Sequence, residues 1–398
     1  MFVAALGLYS ASAGVMLWRG SLAPHYVYLA YSLLRGHVDL ITLPPTTYDL
    51  LAYQGQWFVA GSPLPAILLM PLVALWGLGV SDIPFGAVIG AINVALMYDL
   101  LGVMQVSESA RRWLTALFAA GTVHWYVAAI GSYWFNAHVV AVLFVTLFAR
   151  ETLCGGARHA APLRAGLWLA LAGLARPTAL FAAPFFLAWV WMQQRRSFLR
   201  ELALFGFALA FGVGAHLAYN AARFGSPLDF GYAYVQGAEN ITSAYARYGG
   251  FNLRFVPFNL YVSLLRPPDI LSQFPFLRPS PWGMSILLTT PAFLYIFRAF
   301  RRDPIIIASW AGLLGVMIPL WMYHNTGSLQ FGYRYSLDAA PFLMLLTAAG
   351  MQGHISPLKR GLVIVSILVN WAGMAWMFAH LHGFGWAGMW YRLLVSRF

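Results

Sequence analysis

Two of the chain's 12 acidic residues, Asp39 and Asp49, fall in one prolyl stretch, HVDLITLPPTTYDLLAYQGQWF, that lies between apolar segments. A carboxylate held against apolar and aromatic walls has a raised proton affinity. That suits a general base that must take a proton from a hydroxyl or an amine. Aspartate is also a common turn former, so either residue alone reads equally well as solvated loop. Two of them in a loop packed between membrane segments favour chemistry, and the sequence does not rank one above the other.

Four further clusters carry groups that handle anions or protons. In GSYWFNAH (131–138), Asn136 and His138 read as facing one cavity, while Tyr133 and Trp134 fit an interfacial aromatic belt. Arg176 sits in LALAGLARPTALFAAPFF, apolar on both sides. An arginine at membrane depth is expensive and faces a cavity or an anionic partner, and its planar fork matches phosphate oxygens. The bland alternative is a cap on helix-end carbonyls or a side chain that snorkels to the surface. In QFGYRYSLDAAPFLMLL (330–346), Arg334 and Asp338 stand four apart, so a helical ion pair is the bland expectation. The functional one aims Arg334 at a phosphate, with Tyr333 and Tyr335 beside it and His324 joining from the preceding loop. In YNAARFGSPLDFGYAY (219–234), Arg223 leaves a span before a Gly-Ser-Pro turn, and the loop that follows, rich in Pro, aromatics and Arg, has the makings of a cover over a cleft.

These groups hang on a membrane scaffold. The chain is 61% hydrophobic, 16% aromatic and only 9% charged, against roughly 25% charged residues in soluble domains. Apolar windows of about 20 residues recur along it, each able to cross a bilayer as a helix. The pattern predicts an all-α polytopic membrane protein forming a single domain over 1–398. The net charge of +12 is not a nucleic-acid signal. Its short arginine clusters (Arg111-Arg112; Arg150, Arg158, Arg164; Arg195, Arg196, Arg200; Arg298, Arg301, Arg302; Lys359-Arg360) mark cytoplasmic loops. Placing them inside predicts spans near 2–18, 84–104, 113–130, 137–150, 201–219, 284–300, 305–322, 339–351 and 361–381, with 165–192 as a hairpin broken at Arg176-Pro177. That makes about eleven spans, with the N-terminus cytoplasmic and the C-terminus outside. Residues 19–83 and 220–283 become external loops. Within the first, 25–36 is expected along the outer surface, and 63–80 as a re-entrant or interfacial helix pair broken near Pro71.

Several classes are absent from the sequence: no phosphate-binding Gly-rich loop with Lys, no HExxH, no GxSxG and no Cys/His metal set. These absences argue against a soluble nucleotide-sugar or ATP site, and an enzyme here needs an activated substrate delivered in the membrane.

At these residues the chain resembles the GT-C superfamily of integral-membrane glycosyltransferases, especially bacterial members akin to protein O-mannosyltransferases and aminoarabinose transferases. The resemblance rests on the first-loop acids, GQWFVAGSPLPAILLMPLVALWG, ARPTALFAAP, YNAARFGSPLDFGY and FGYRYSLDAAPFL, whose order covers most of the chain. It implies a GT-C-like bundle in a bacterial inner membrane with its active site on the outer, periplasmic side. It implies a polyprenyl-phosphate sugar donor and a lipid, glycan or protein acceptor. Asp49 or Asp39 would be the base. Arg334, Arg176, Tyr333, His138, Asn136, His324 and Arg223 would bind substrate. No metal ligand is assigned, and a divalent cation is the one cofactor left open. The first-loop acids are ten apart instead of an adjacent pair, and Asn136 and His138 stand where relatives often carry a further acid. The rivals are a lipid-linked glycan polymerase or ligase, using the 220–283 loop, and a lipid or glycan flippase.

Overall fold

The computed structural model describes residues 1–155, 160–237, 239–273 and 276–381. The expected C-terminal tail outside the membrane lies beyond the described residues. α1 (Phe2–Ala13) runs into a 3-10 turn ending at Trp18. The long segment that follows folds into α2 (His25–Leu33), a hairpin of β1 (Leu50–Tyr53) and β2 (Gln56–Val59), and α3 (Leu64–Trp76). The bundle continues through α4 (Asp82–Gly102), α5 (Glu108–Ala120), α6 (His124–Ile130), α7 (Tyr133–Cys154), α8 (Ala161–Ala175), α9 (Ala183–Gln193) and α10 (Phe198–Phe224). The long loop carries α11 (Glu239–Tyr248), α12 (Val256–Leu260) and a two-residue hairpin, β3 (Asp269–Ile270) with β4 (Leu277–Arg278). α13 (Ile286–Thr289), α14 (Pro304–Met322), α15 (Ala340–Gly350) and α16 (Pro357–Leu381) complete it.

Among the described residues five helices, α4, α7, α10, α14 and α16, are long and apolar enough to cross a membrane, and α5 with α6, bent 52° at their break, makes a sixth. This is a multi-pass helical membrane protein. Where the other spans are expected, the described residues form shorter pieces, such as the 3-10 run Pro291–Arg298 after α13 and the 3-10 run Arg334–Ala339 before α15. Serine and aspartate side chains cap four helix starts: Ser81 accepts from Ile83 N, Ser107 from Ala110 N, Ser285 from Leu287 N and Leu288 N, and Asp303 from Ile305 N. Helices α8 and α10 meet through small residues. A Cβ on Gly166 would stand 2.3 Å from the Phe205 carbonyl oxygen, and one on Gly212 would stand 2.3 Å from Ala170 Cβ. Such residues let backbones approach where lipid offers no hydrophobic drive.

The break at Arg176 is where the sequence places it. Pro177 lacks an N–H and crowds the preceding residue, so Arg176 is extended (φ −149°, ψ 115°) and the chain restarts as a 3-10 turn over Pro177–Ala182. Four expectations are corrected. The 63–80 segment does not break at Pro71. α3 runs through it and ends at Gly77, whose positive φ of 61° favours glycine. Residues 25–33 do not lie on the surface: His25, Tyr26, Val27, Leu29 and Ala30 are buried, because the helix packs against α3. The span expected over 201–219, α10, continues past 219 to Phe224, so the long loop begins at Gly225. The architecture is not purely helical, since both long loops carry small β hairpins.

Candidate active site

Asp49 sits at the entry to β1 with a positive φ of 62°, a strained conformation for a residue bearing a Cβ. Its surroundings hold it there. Its backbone N–H donates to Gln236 O and Gln236 N–H donates to Leu50 O, both at 2.8 Å, and Leu51 bridges Val235. The long loop after α10 is thereby pinned to the loop that carries Asp49. His25 adds a second tie, its Nε2 donating to the Tyr48 carbonyl at 3.0 Å while its ring stacks on Tyr133 with centroids 4.7 Å apart. Burial lowers the His25 pKa to about 4, so the ring is neutral at ordinary pH.

The Asp49 carboxylate accepts a 2.9 Å hydrogen bond from Trp134 Nε1, with the Tyr133 hydroxyl beside it. Burial pushes its pKa above the ordinary carboxylate value. The Trp134 and Tyr133 donors and the charge of Arg334 offset part of that rise. Asp39 has a different setting, accepting at 3.2 Å from a half-exposed His37. The structure thus separates two acids that the sequence leaves equal.

Trp134 owes its position to Asp82, which sequence reasoning passed over. Asp82 opens α4 and is buried. Its carboxylate accepts from Ser21 N (3.0 Å), Ser21 Oγ (2.7 Å), Ser132 N (3.1 Å) and Asn136 Nδ2 (3.3 Å). The Gly131-Ser132 turn, with φ of 73° and 95°, is held by that carboxylate, and α7 starts immediately after it. Asp82→Ala is expected to cost roughly 3 kcal/mol, since hydrogen bonds to a charged group are each worth about 1.5–3 kcal/mol and the buried donors are left unmade. Thermal unfolding in one detergent measures it, and a parent-like midpoint would show that Asp82 does not hold the turn.

Asn136 and His138 do not face one cavity. They are two apart on α7, about 200° around the helix. Asn136 turns to Asp82, and His138 Nδ1 donates to Asp338 Oδ1 at 3.1 Å. Nor do Arg334 and Asp338 pair. Residues 334–339 form a 3-10 turn, in which neighbours three apart eclipse and those four apart diverge. Asp338, fully buried, instead accepts from Arg176 Nε at 2.9 and 3.0 Å and from Thr178 Oγ1 at 2.6 Å. Arg334 Nη1 donates to Ser328 O at 2.5 Å and to Gln330 Oε1 at 3.3 Å. Both guanidinium groups border the Tyr335 ring, at 5.4 Å for Arg176 and 5.2 Å for Arg334. This gives a positive wall beside an aromatic floor.

The remaining expected residues support the walls. Arg223 donates to Val59 O at 3.0 Å and Asn220 Oδ1 at 2.7 Å, clamping β2 to α10. Tyr333 is buried, its hydroxyl 3.4 Å from Leu320 O. His324, in the loop after α14, lies among Tyr232, Tyr245 and Tyr323, and burial lowers its pKa to about 4. It also lines a cavity of about 570 Å³ with Phe258, Tyr261, Arg266, Trp282 and Asn325. Gln330 ties this cavity to Arg334. Its Nε2 donates to Trp282 O (3.0 Å) and Thr326 O (2.8 Å), while its Oε1 accepts from Arg334. Among the described residues no three acidic, His or Cys side chains gather as a metal set. Asp49's neighbours are donors and cations, which does not fit a divalent ion.

The helical bundle that brings Asp49 into the field of Arg334, with Arg176 and Arg334 both bordering Tyr335, shares its fold with solved structures that align along nearly the whole chain. ArnT from Cupriavidus metallidurans bound to undecaprenyl phosphate matches with a TM-score of 0.57 at 13% identity, covering 94% of this chain and 62% of that one. Its apo form matches at 0.56 and 14% identity, with the same coverage. The apo oligosaccharyltransferase of Archaeoglobus fulgidus matches at 0.54 and 13% identity, covering 97% of this chain and 56% of that one. This chain therefore spans about three-fifths of the length of these neighbours. No protein-family model and no curated protein sequence matches it.

Proposed function

We infer that the chain is a glycosyltransferase that moves a sugar from a polyprenyl-phosphate donor to an envelope acceptor on the outer face of a bacterial inner membrane, with its N-terminus cytoplasmic. The observation that carries this is Asp49: a partly buried carboxylate, held by Trp134, in the field of Arg334 and on a fold shared with a structure that holds undecaprenyl phosphate. Asp49 takes the proton of the acceptor hydroxyl. The oxygen attacks the anomeric carbon from the face opposite the phosphate, the C–O bond to phosphate breaks, and the polyprenyl phosphate leaves with inversion. Arg334 and Arg176 stabilise the charge that develops on the leaving phosphate. Tyr335 lies between them, and Tyr333, His138, Asn136 and Arg223 shape the site. The test is transfer of label from a panel of radiolabelled polyprenyl-phosphate sugars, hexosyl and pentosyl, to an envelope extract. Absence of turnover with every donor would overturn the reading.

Asp49 must be ionised to act, so activity should fall as pH drops through its raised pKa and level off above it. Trp134→Phe removes a donor that favours the ionised form, and should move that acid limb to higher pH while the plateau pH range stays active. An unmoved limb would mean that another group titrates.

The 570 Å³ cavity in the long loop favours a second reading, a polymerase or ligase of lipid-linked glycans that seats an extended acceptor there. A product ladder of several sugar units, reduced by Arg266→Ala, would favour it over single transfer.

A further inference from the structure

Asp338 is the most enclosed carboxylate near the site, and it touches no space a substrate can enter. Its three donors come from separate elements: His138 from α7, Arg176 from the break after α8, and Thr178 from the 3-10 turn that follows. Both its oxygens engage Arg176 at Nε alone, at 2.9 and 3.0 Å. A guanidinium has five N–H donors, so the two terminal amino groups keep four that Asp338 leaves free. The arginine side chain retains 18% exposure while Asp338 has none. Its guanidinium borders Tyr335 and lies in the field of Tyr232 from the long loop.

We propose that Asp338 is a positioning residue: through Nε it fixes the Arg176 fork so that both terminal amino groups meet the phosphate of the lipid-linked donor. This rests on the donor assignment above. Two effects of the carboxylate oppose each other. Its negative charge weakens the attraction of a phosphate, whereas its hydrogen bonds remove the rotamer freedom that an arginine otherwise loses on binding. The three converging donors already neutralise and enclose that charge, so orientation dominates. The sign of a neutralising substitution therefore decides the matter.

The test measures retention of tritiated undecaprenyl phosphate, and of tritiated undecaprenol without the phosphate, on the purified chain in one detergent. Asp338→Asn should weaken the phosphate lipid at least tenfold and leave undecaprenol unchanged. In an Arg176→Ala background the same change should have no further effect, because Asp338 acts through Arg176. Thr178→Val keeps the charge, removes one donor and carries the test if Asp338→Asn does not fold; about threefold weaker phosphate binding is expected. Equal or tighter phosphate binding by Asp338→Asn, equal loss of both lipids, or an unaffected Thr178→Val overturns the positioning role. A parent chain that does not prefer the phosphate lipid overturns the donor assignment itself.

Discussion

Asp49→Asn is expected to lower the rate of sugar transfer by about 10²–10⁴-fold, the range that a positioned general base contributes, while undecaprenyl phosphate binding stays within about twofold. The amide keeps the shape and still accepts the Trp134 hydrogen bond, but it cannot take a proton from an acceptor hydroxyl. Asp39→Asn should leave turnover near the parent value, since that acid faces only His37. The comparison is internal, because both residues lie in one loop and a general loss of folding would lower both. A large loss in Asp39→Asn with little in Asp49→Asn would reverse the assignment. Equal small losses in both would remove the base from this loop altogether.

Arg176→Ala should be the most destabilising single change, by about 3–5 kcal/mol, because it leaves Asp338 buried without its counter-charge. Thr178 and His138 continue to donate to it but bring no fixed charge. Arg176→Lys restores the charge without the planar fork, and should recover stability more than phosphate binding. Removing both partners, as Arg176→Met with Asp338→Asn, should recover more than half of the lost stability, since a neutral pair leaves no uncompensated ion. Thermal unfolding of the four proteins in one detergent measures the cycle. An Arg176→Ala protein as stable as the parent would mean that Asp338 is balanced elsewhere.

The membrane class, the order of the apolar segments and the break at Arg176-Pro177 are properties of the chain itself. They follow from composition and from local sterics, which need no distant partner. The same holds for the selection of Asp49, Arg176 and Arg334 as unusual, since charged groups are scarce in apolar surroundings and stand out there. Partner choice was not legible. Arg334 and Asp338 are four apart, yet the 3-10 turn diverts them, and Asp338 meets Arg176 from 162 residues away. Trp134 reads as a belt aromatic until its indole N–H is seen to end on Asp49, 85 positions earlier. The ranking of Asp49 over Asp39 likewise depends on the long loop closing at Gln236 and on Asp82 holding the start of α7. That an ionisable group at membrane depth needs a partner follows from the residues alone, because solvation costs are local. Which partner it finds is set by the folded chain, because hydrogen bonds and ion pairs act over a few ångströms and loop closure sets what comes within that reach.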